Sequence, residues 1–133
     1  MAEPLQVEVV SADEVVWSGT STLIIAKTVD GDMGILPGHA PVLAVLAPGG
    51  VEIVTEDASR EVVAVDGGFL SVAQGRVSIL SEYARMADEI SIDQAERELA
   101  DAQARLDAGE DTEEVRQHVM RASAQVRAAH KVR

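Results

Sequence analysis

The spacing of apolar residues changes period near Tyr83, and that change fixes the architecture. Before it, Leu5, Val7 and Val9 alternate with Gln6 and Glu8, the period of two expected of a half-buried strand. After it, Ile92, Ala95, Leu99, Ala102 and Leu106 fall at steps of three and four, as do Val115, Val119, Ala122, Val126 and Ala129. A chain that reads β first and α afterwards predicts an α+β fold. We expect an antiparallel β-sandwich or barrel over residues 1–86, followed by an antiparallel two-helix hairpin over 87–133.

The strands expected are Leu5 to Val10, Glu14 to Trp17, Ser21 to Thr28, Asp32 to Leu36, Val42 to Leu46, Val51 to Thr55, Glu61 to Val65, Phe69 to Ala73 and Val77 to Leu80. Pro48-Gly49-Gly50, Glu56 to Ser59, Asp66-Gly67-Gly68 and Gln74-Gly75 supply the turns. Ser91 with Gln94 three residues on opens the first helix as a capping box, and Asp111 with Glu114 is expected to open the second. Gly109 ends the first helix in the left-handed conformation. The apolar stripes of the hairpin are rich in alanine and valine, which bury little area each, so it is only weakly self-stabilised. Such an element suits switching between packed and unpacked forms, although a purely stabilising hairpin would read the same way.

Hydrophobic residues make up 47% of the chain but aromatics only 2%, so the core is built from Val, Ile, Leu and Ala, and base stacking is poorly supported. A net charge of −12 repels phosphate backbones and argues against nucleic acid as a partner. The balance reverses at the end, where Val115 to Arg133 carries Arg116, Arg121, Arg127, Lys131 and Arg133 and no acid. There is no cysteine, which fits a reducing compartment. No signal peptide is visible at MAEPLQVEVV, and no run of about 18 apolar residues could span a bilayer, so membrane association is expected only through a partner.

The search for chemistry finds no Walker A sequence, no HExxH and no GxSxG. His39, His118 and His130 are too scattered for a metal set. A cupin-type β-barrel enzyme would need two or three histidines on one sheet face, and only His39 lies in the β region. We therefore expect no catalytic residue, metal or cofactor. The stretch GDMGILPGHAP, Gly31 to Pro41, instead spends three glycines and two prolines on shape. It is expected to present a rigid, partly apolar knuckle built on Met33, Ile35 and Leu36 to another protein, with His39 fixing the loop by hydrogen bonds.

Two stretches carry a resemblance. GDMGILPGHAPVLAVLAPGGVEI, from Gly31 to Ile53, and VAVDGGFLSVAQGRVSIL, from Val63 to Leu80, resemble the characteristic segments of the epsilon-subunit family of bacterial F-type ATP synthase, in register and inside the expected architecture. The resemblance implies a non-catalytic subunit of the central rotor stalk at the cytoplasmic face of the membrane, coupling proton translocation to ATP synthesis. Its partners would be the gamma subunit, the c-ring and the alpha/beta hexamer, with the membrane reached only through the Fo complex. It places Asp32, Met33, Gly34, Ile35, Leu36, Pro37, Gly38 and His39 at the c-ring and gamma interface.

The resemblance further implies a hairpin that folds on the sandwich or extends along gamma to block ATP hydrolysis, with Arg116, Arg121, Arg127 and Lys131 meeting the beta or gamma subunit. Family members that bind ATP on the folded hairpin use an I/L-D-x-x-R-A motif and two arginines. Ile92, Asp93 and Arg121 match parts of that set, but Glu96 stands where the motif has arginine and Gln125 replaces the second arginine. A carboxylate facing a triphosphate repels it, so weak or no ATP binding is expected. The alternative of another class is a free-standing adaptor whose hairpin recruits an unrelated partner; co-purification with gamma separates the two.

Overall fold

The computed structural model describes residues 3–132; Arg133, the last cation of the basic end, lies outside them. Ten strands come first: β1 Leu5–Val10, β2 Val15–Ser21, β3 Leu23–Thr28, β4 Gly31–Ile35, β5 Val42–Leu46, β6 Gly49–Val54, β7 Arg60–Val65, β8 Gly68–Ala73, β9 Arg76–Leu80 and β10 Ala84–Met86. A short 3-10 turn, Ala87–Glu89, then leads into α1 Ile92–Asp107 and α2 Glu113–Lys131. The hydrogen-bonded order is β10-β7-β6-β3-β5-β8-β9-β1-β2, with β4 on the far edge of β3.

Strand β3 is where the sheet folds over. Its first half pairs with β6, Ile24 opposite Ile53, while Thr28 at its other end pairs with Leu46 of β5. Ala47 and Pro48 join those two partners, and the Ala47 N–H donates to the Lys27 carbonyl at 2.9 Å. The result is two layers, β10-β7-β6-β3-β4 and β5-β8-β9-β1-β2, facing each other across Leu5, Val7, Val9, Ile24, Ile35, Val51, Ile53, Val63, Leu70 and Ile79. Aliphatic residues fill this core, and Trp17 lies partly buried at its margin.

The pairings are antiparallel except one. β1 runs parallel to β9, Gln6 opposite Arg76 through Val10 opposite Leu80, because the first strand of the chain closes the sheet beside the ninth. The long strand expected from Ser21 to Thr28 breaks at Thr22. There Ser21 Oγ donates to the Val54 carbonyl at 2.7 Å and accepts from the Leu23 N–H at 3.1 Å, turning the chain by a local side-chain bond. Strand β10 was not foreseen; its three residues are too few for periodicity to register.

The β8–β9 turn has Gln74 at φ 53° and Gly75 at φ 76°, the two positive values of a tight hairpin. At Gly68, φ is +109°, and a Cβ would stand 2.0 Å from the Leu80 carbonyl oxygen. Only glycine fits there.

Helix α1 starts as expected, with Ser91 Oγ accepting from the Gln94 N–H at 3.3 Å. The Gln94 side chain reaches Glu98 rather than closing the box. α1 ends in a Schellman turn on Gly109, φ 98°, whose N–H donates to the Leu106 carbonyl while that of Glu110 donates to Arg105. The start of α2 needs correction. Thr112 is the cap, accepting from the Val115 N–H at 3.2 Å, while the Asp111 carboxylate pairs with the Arg116 guanidinium. Thr112 has the extended backbone of a cap, φ −106° and ψ 159°, and lies three residues before Val115, where the threonine hydroxyl reaches the orphan donor.

The hairpin folds down onto the outer face of β6 and β7. Those strands are therefore buried on both sides: Val51, Ile53, Val63 and Val65 face the core, while Val62 and Ala64 join Ala87, Ile90, Ala95, Ala128 and Ala129 in a second cluster. The unbroken run Val62 to Val65 is the mark of such two-sided burial in the sequence.

Candidate functional site

The strand expected over Asp32 to Leu36 forms, but the knuckle expected on it is built differently. Gly31 to Ile35 is itself strand β4, paired along β3 with Asp32 opposite Lys27 and Gly34 opposite Ile25. Alternation then decides what is offered to a partner. Ile35 is fully buried in the core and Met33 packs against it, so neither forms the tip of a knuckle. Leu36 does, standing exposed beside Pro37. Gly31 and Gly38 use positive φ, 124° and 88°, whereas Gly34 does not and has open space where a Cβ would go. The turn closes through the His39 N–H donating to the Leu36 carbonyl at 3.0 Å, and His39 Nδ1 lies 2.6 Å from the Ala40 carbonyl.

Three of the four described cations of the basic end bind the sandwich. Arg121 Nε donates to Asp66 Oδ2 at 2.9 Å and its guanidinium lies 5.8 Å from the centre of the Tyr83 ring. Arg127 donates to the Pro48 carbonyl at 3.1 Å. Lys131 Nζ donates to Glu52 Oε2 at 3.0 Å, while Arg60 takes Glu52 Oε1 at 2.8 Å. Glu52 is the one buried carboxylate among the described residues, and these two cations account for both of its oxygens. Among the described cations of this end only Arg116 makes no bond to the sandwich; Asp111 and Glu113 hold its guanidinium and raise its pKa, the hydrogen bond to Asp111 first.

Between these cations the helix meets the sheet through small residues. Gly50 lies against Ala128, and Gln125 Nε2 donates to the Tyr83 hydroxyl at 2.6 Å. Asp32 from β4 and Arg127 and Lys131 from α2 line one groove of about 380 Å³, floored by Ile25 and Val126. Two sets of residues singled out separately in the sequence thus meet at the edge of the folded hairpin. Ile92, Asp93 and Arg121 do not converge: Ile92 packs into the second cluster, Asp93 is exposed on the first turn of α1, and Arg121 is spent on Asp66.

One exposed apolar face was missed. Val45, Phe69 and Leu80 stand in register across β5, β8 and β9, and each is about half exposed. The signal existed: Val42 to Leu46 is apolar at every position, so whichever face turned inward, the other would be apolar too. Among the described residues no helix is long and apolar enough to cross a membrane.

Residues 4–87 match the family model of the ATP synthase delta/epsilon chain β-sandwich domain. The chain belongs to that family. It is 52% identical to the ATP synthase epsilon chain of Streptomyces avermitilis over 81% of its own length and 87% of that protein's. It is 49% identical to the epsilon chain of Cutibacterium acnes over 84% of itself and 77% of that protein. Among solved structures it is similar to a chain of the Euglena gracilis mitochondrial ATP synthase, in an OSCP/F1/c-ring assembly, at TM-score 0.76 and 25% identity, over 97% of this chain and 80% of that one. A chain of the Tetrahymena thermophila central stalk and c-ring shares the fold at TM-score 0.60 and 19% identity, over 98% and 97% of the two.

As an epsilon-type subunit of ATP synthase the chain is non-catalytic. That agrees with a site made of turns, ion pairs and apolar surface, in which the sequence shows no nucleophile paired with a base.

Proposed function

We propose that the chain is a rotor-stalk subunit that joins gamma to the c-ring, and that its hairpin is stored on the sandwich at rest and released to restrain ATP hydrolysis. The observation that carries this reading is the way the hairpin is held. Its contacts with the sandwich are mostly small side chains, Gly50 on Ala128 and Val62 and Ala64 in one cluster with Ala128 and Ala129, fastened by bonds from Arg121 to Asp66, Gln125 to Tyr83, Arg127 to Pro48 and Lys131 to Glu52. Fastenings of this kind are directional and few, and they let one element leave without disturbing the separate core of the sandwich.

The cations then have two uses. Folded, Arg121, Arg127 and Lys131 bind the sandwich; released, they offer positive charge to acidic surface on the beta or gamma subunit. Asp32, Leu36, Pro37 and His39 form the exposed end proposed to face the c-ring, placing the subunit at the cytoplasmic side of the membrane without entering it. ATP is not required for the folded hairpin in this reading, since Glu96 stands 3.5 Å from His130 Nε2 and adds negative charge to α1.

The test is hydrolysis by an epsilon-depleted hexamer–gamma core titrated with the full chain and with Gly50→Val, which unseats the helix. Binding by both, with stronger inhibition by Gly50→Val, is the expected result. Failure of the full chain to bind the core would overturn the stalk role. Binding with equal inhibition would overturn the stored-hairpin role alone.

A further inference from the structure

The groove of about 380 Å³ between β3 and the end of α2 has a floor and a rim of different chemistry. Its floor is apolar. Ile25 of β3 and Val126 of α2 meet there, and Gly34, opposite Ile25 across the β3–β4 pair, leaves open space where a side chain would stand beside the isoleucine. The rim is cationic, with Lys27 from the sheet and Arg127 and Lys131 from the helix set against one carboxylate, Asp32. His130 also lines the groove, with its Nε2 3.5 Å from Glu96 of α1.

A chain of net charge −12 thus gathers positive charge around one hollow. Cations in the last turns of α2 are expected in any case, because they offset the negative end of the helix dipole. Lys27 is not. It comes from the sheet, and among the described residues no carboxylate forms an ion pair with it, Asp32 opposite included. Arg127 spends one N–H on the Pro48 carbonyl and Lys131 one on Glu52, so each keeps further donors for an anion. The volume falls within that of small-molecule sites, about 300–1,000 Å³, which combine an apolar lining with a few polar groups.

We propose that this groove binds a small amphiphilic anion, a carboxylate head on an apolar tail of several carbons. The head lies among Lys27, Arg127 and Lys131, where the Arg127 guanidinium offers a planar carboxylate its remaining donors. The tail covers Ile25 and Val126 in the space that Gly34 leaves open. Inorganic phosphate would satisfy the rim and leave the floor wet, and a neutral alcohol would do the reverse. Every wall comes from this chain alone, so the site exists whatever the chain docks on.

Octanoate titrated into the full chain and followed by amide NMR tests it, with circular dichroism to confirm that each variant folds. Saturable shifts should concentrate at Ile25, Lys27, Val126 and Arg127, and octanoate should bind at least about tenfold tighter than acetate, inorganic phosphate or octanol. Lys27→Ala should weaken octanoate by about fivefold and Lys27→Arg should bind like the parent. Asp32→Asn, which removes the opposing carboxylate, should tighten it by about twofold, whereas Arg76→Ala, on β9 of the other layer, should change nothing. Gly34→Val should weaken octanoate by about fivefold and leave acetate as it was, because the new side chain takes the place of the tail. No saturable shift in the parent, or octanol binding as tightly as octanoate, would overturn the anion site. Equal weakening by Lys27→Ala and Arg76→Ala would reduce it to the overall charge of the chain. Binding to phosphatidylglycerol vesicles with none to octanoate would overturn the small-ligand site and give these cations to a lipid surface. The stalk role stands under each of these outcomes, since none of them measures it.

Discussion

Gly50 lies directly beneath Ala128: a Cβ on the glycine would stand 3.0 Å from the Ala128 Cα, and as close to Val62 Cγ1 and Lys131 Cδ. The lysine methylene could move aside, but the helix backbone could not without lifting. Gly50→Val should therefore keep the sandwich and dislodge α2. Amide exchange in α2 should speed up by about tenfold or more while Ile53 and Val63 stay protected, measured by NMR. Unchanged protection in α2 would show that the seat has more slack than this contact allows.

The ion pairs should rank by their surroundings. Glu52 is 11% exposed at its side chain and holds both Arg60 and Lys131, so Glu52→Gln should weaken the folded hairpin by about 1–3 kcal/mol. Arg116→Ala removes pairs with two exposed carboxylates and should cost less than about 0.5 kcal/mol. Chemical denaturation of both variants checks the order, and a reversed order would mean that a neutral amide at position 52 holds Arg60 and Lys131 as well as the carboxylate does.

Gly68→Ala meets two obstacles together, a φ of +109° and a carbonyl 2.0 Å from the new methyl. We expect a loss of at least about 3 kcal/mol or failure to fold. Gly34→Val, in the same kind of sequence, meets neither and should melt within a few degrees of the parent. Thermal unfolding of the pair tests whether backbone conformation, rather than glycine as such, is what these positions need.

Asp57 should titrate abnormally. Its carboxylate accepts the Thr55 hydroxyl at 2.5 Å and the Ser59 N–H at 3.1 Å, and these bonds, the Thr55 one first, lower its pKa from 3.8 to about 2. The folded value lies below the unfolded one, so the stabilisation of this turn is complete above pH 3.8 and is lost as pH falls through about 2. An NMR titration should give a midpoint near 2 for Asp57, moving toward 3.8 in Thr55→Val.

Asp32→Arg should lower the melting temperature by only a few degrees, because Asp32 is exposed on an edge strand although the new cation faces Lys27, while Ile35→Asp should unfold the sandwich. If the c-ring contact is real, Asp32→Arg also lowers proton-coupled synthesis in reconstituted vesicles. Unchanged synthesis would remove this end from the interface.

The contrast between Asp32 and Ile35 shows where the sequence was legible. Alternation located nine strands and the three-four spacing located both helices, since each pattern repeats often enough to be read. The glycine-rich stretch was legible as a strand over Asp32 to Leu36 but not in the side chains it offers, because pairing along β3 turns Ile35 into the core and leaves Leu36 outside. The cations were legible as a charged end but not as fasteners, because Asp66 and Glu52 lie 55 and 79 residues away from Arg121 and Lys131. Long-range pairs of that kind leave no local trace. Phe69 was passed over for the opposite reason, as an aromatic in a strand is ordinarily core.

The seat beneath α2 is made of Gly50, Val62 and Ala64, with Glu52 between them on the outer face of β6 and β7. Lifting the helix would wet a narrow strip of small side chains broken by a carboxylate, not a broad oily sheet. If the hairpin leaves as proposed, the strip it uncovers on β6 and β7 offers another molecule little apolar surface to adhere to.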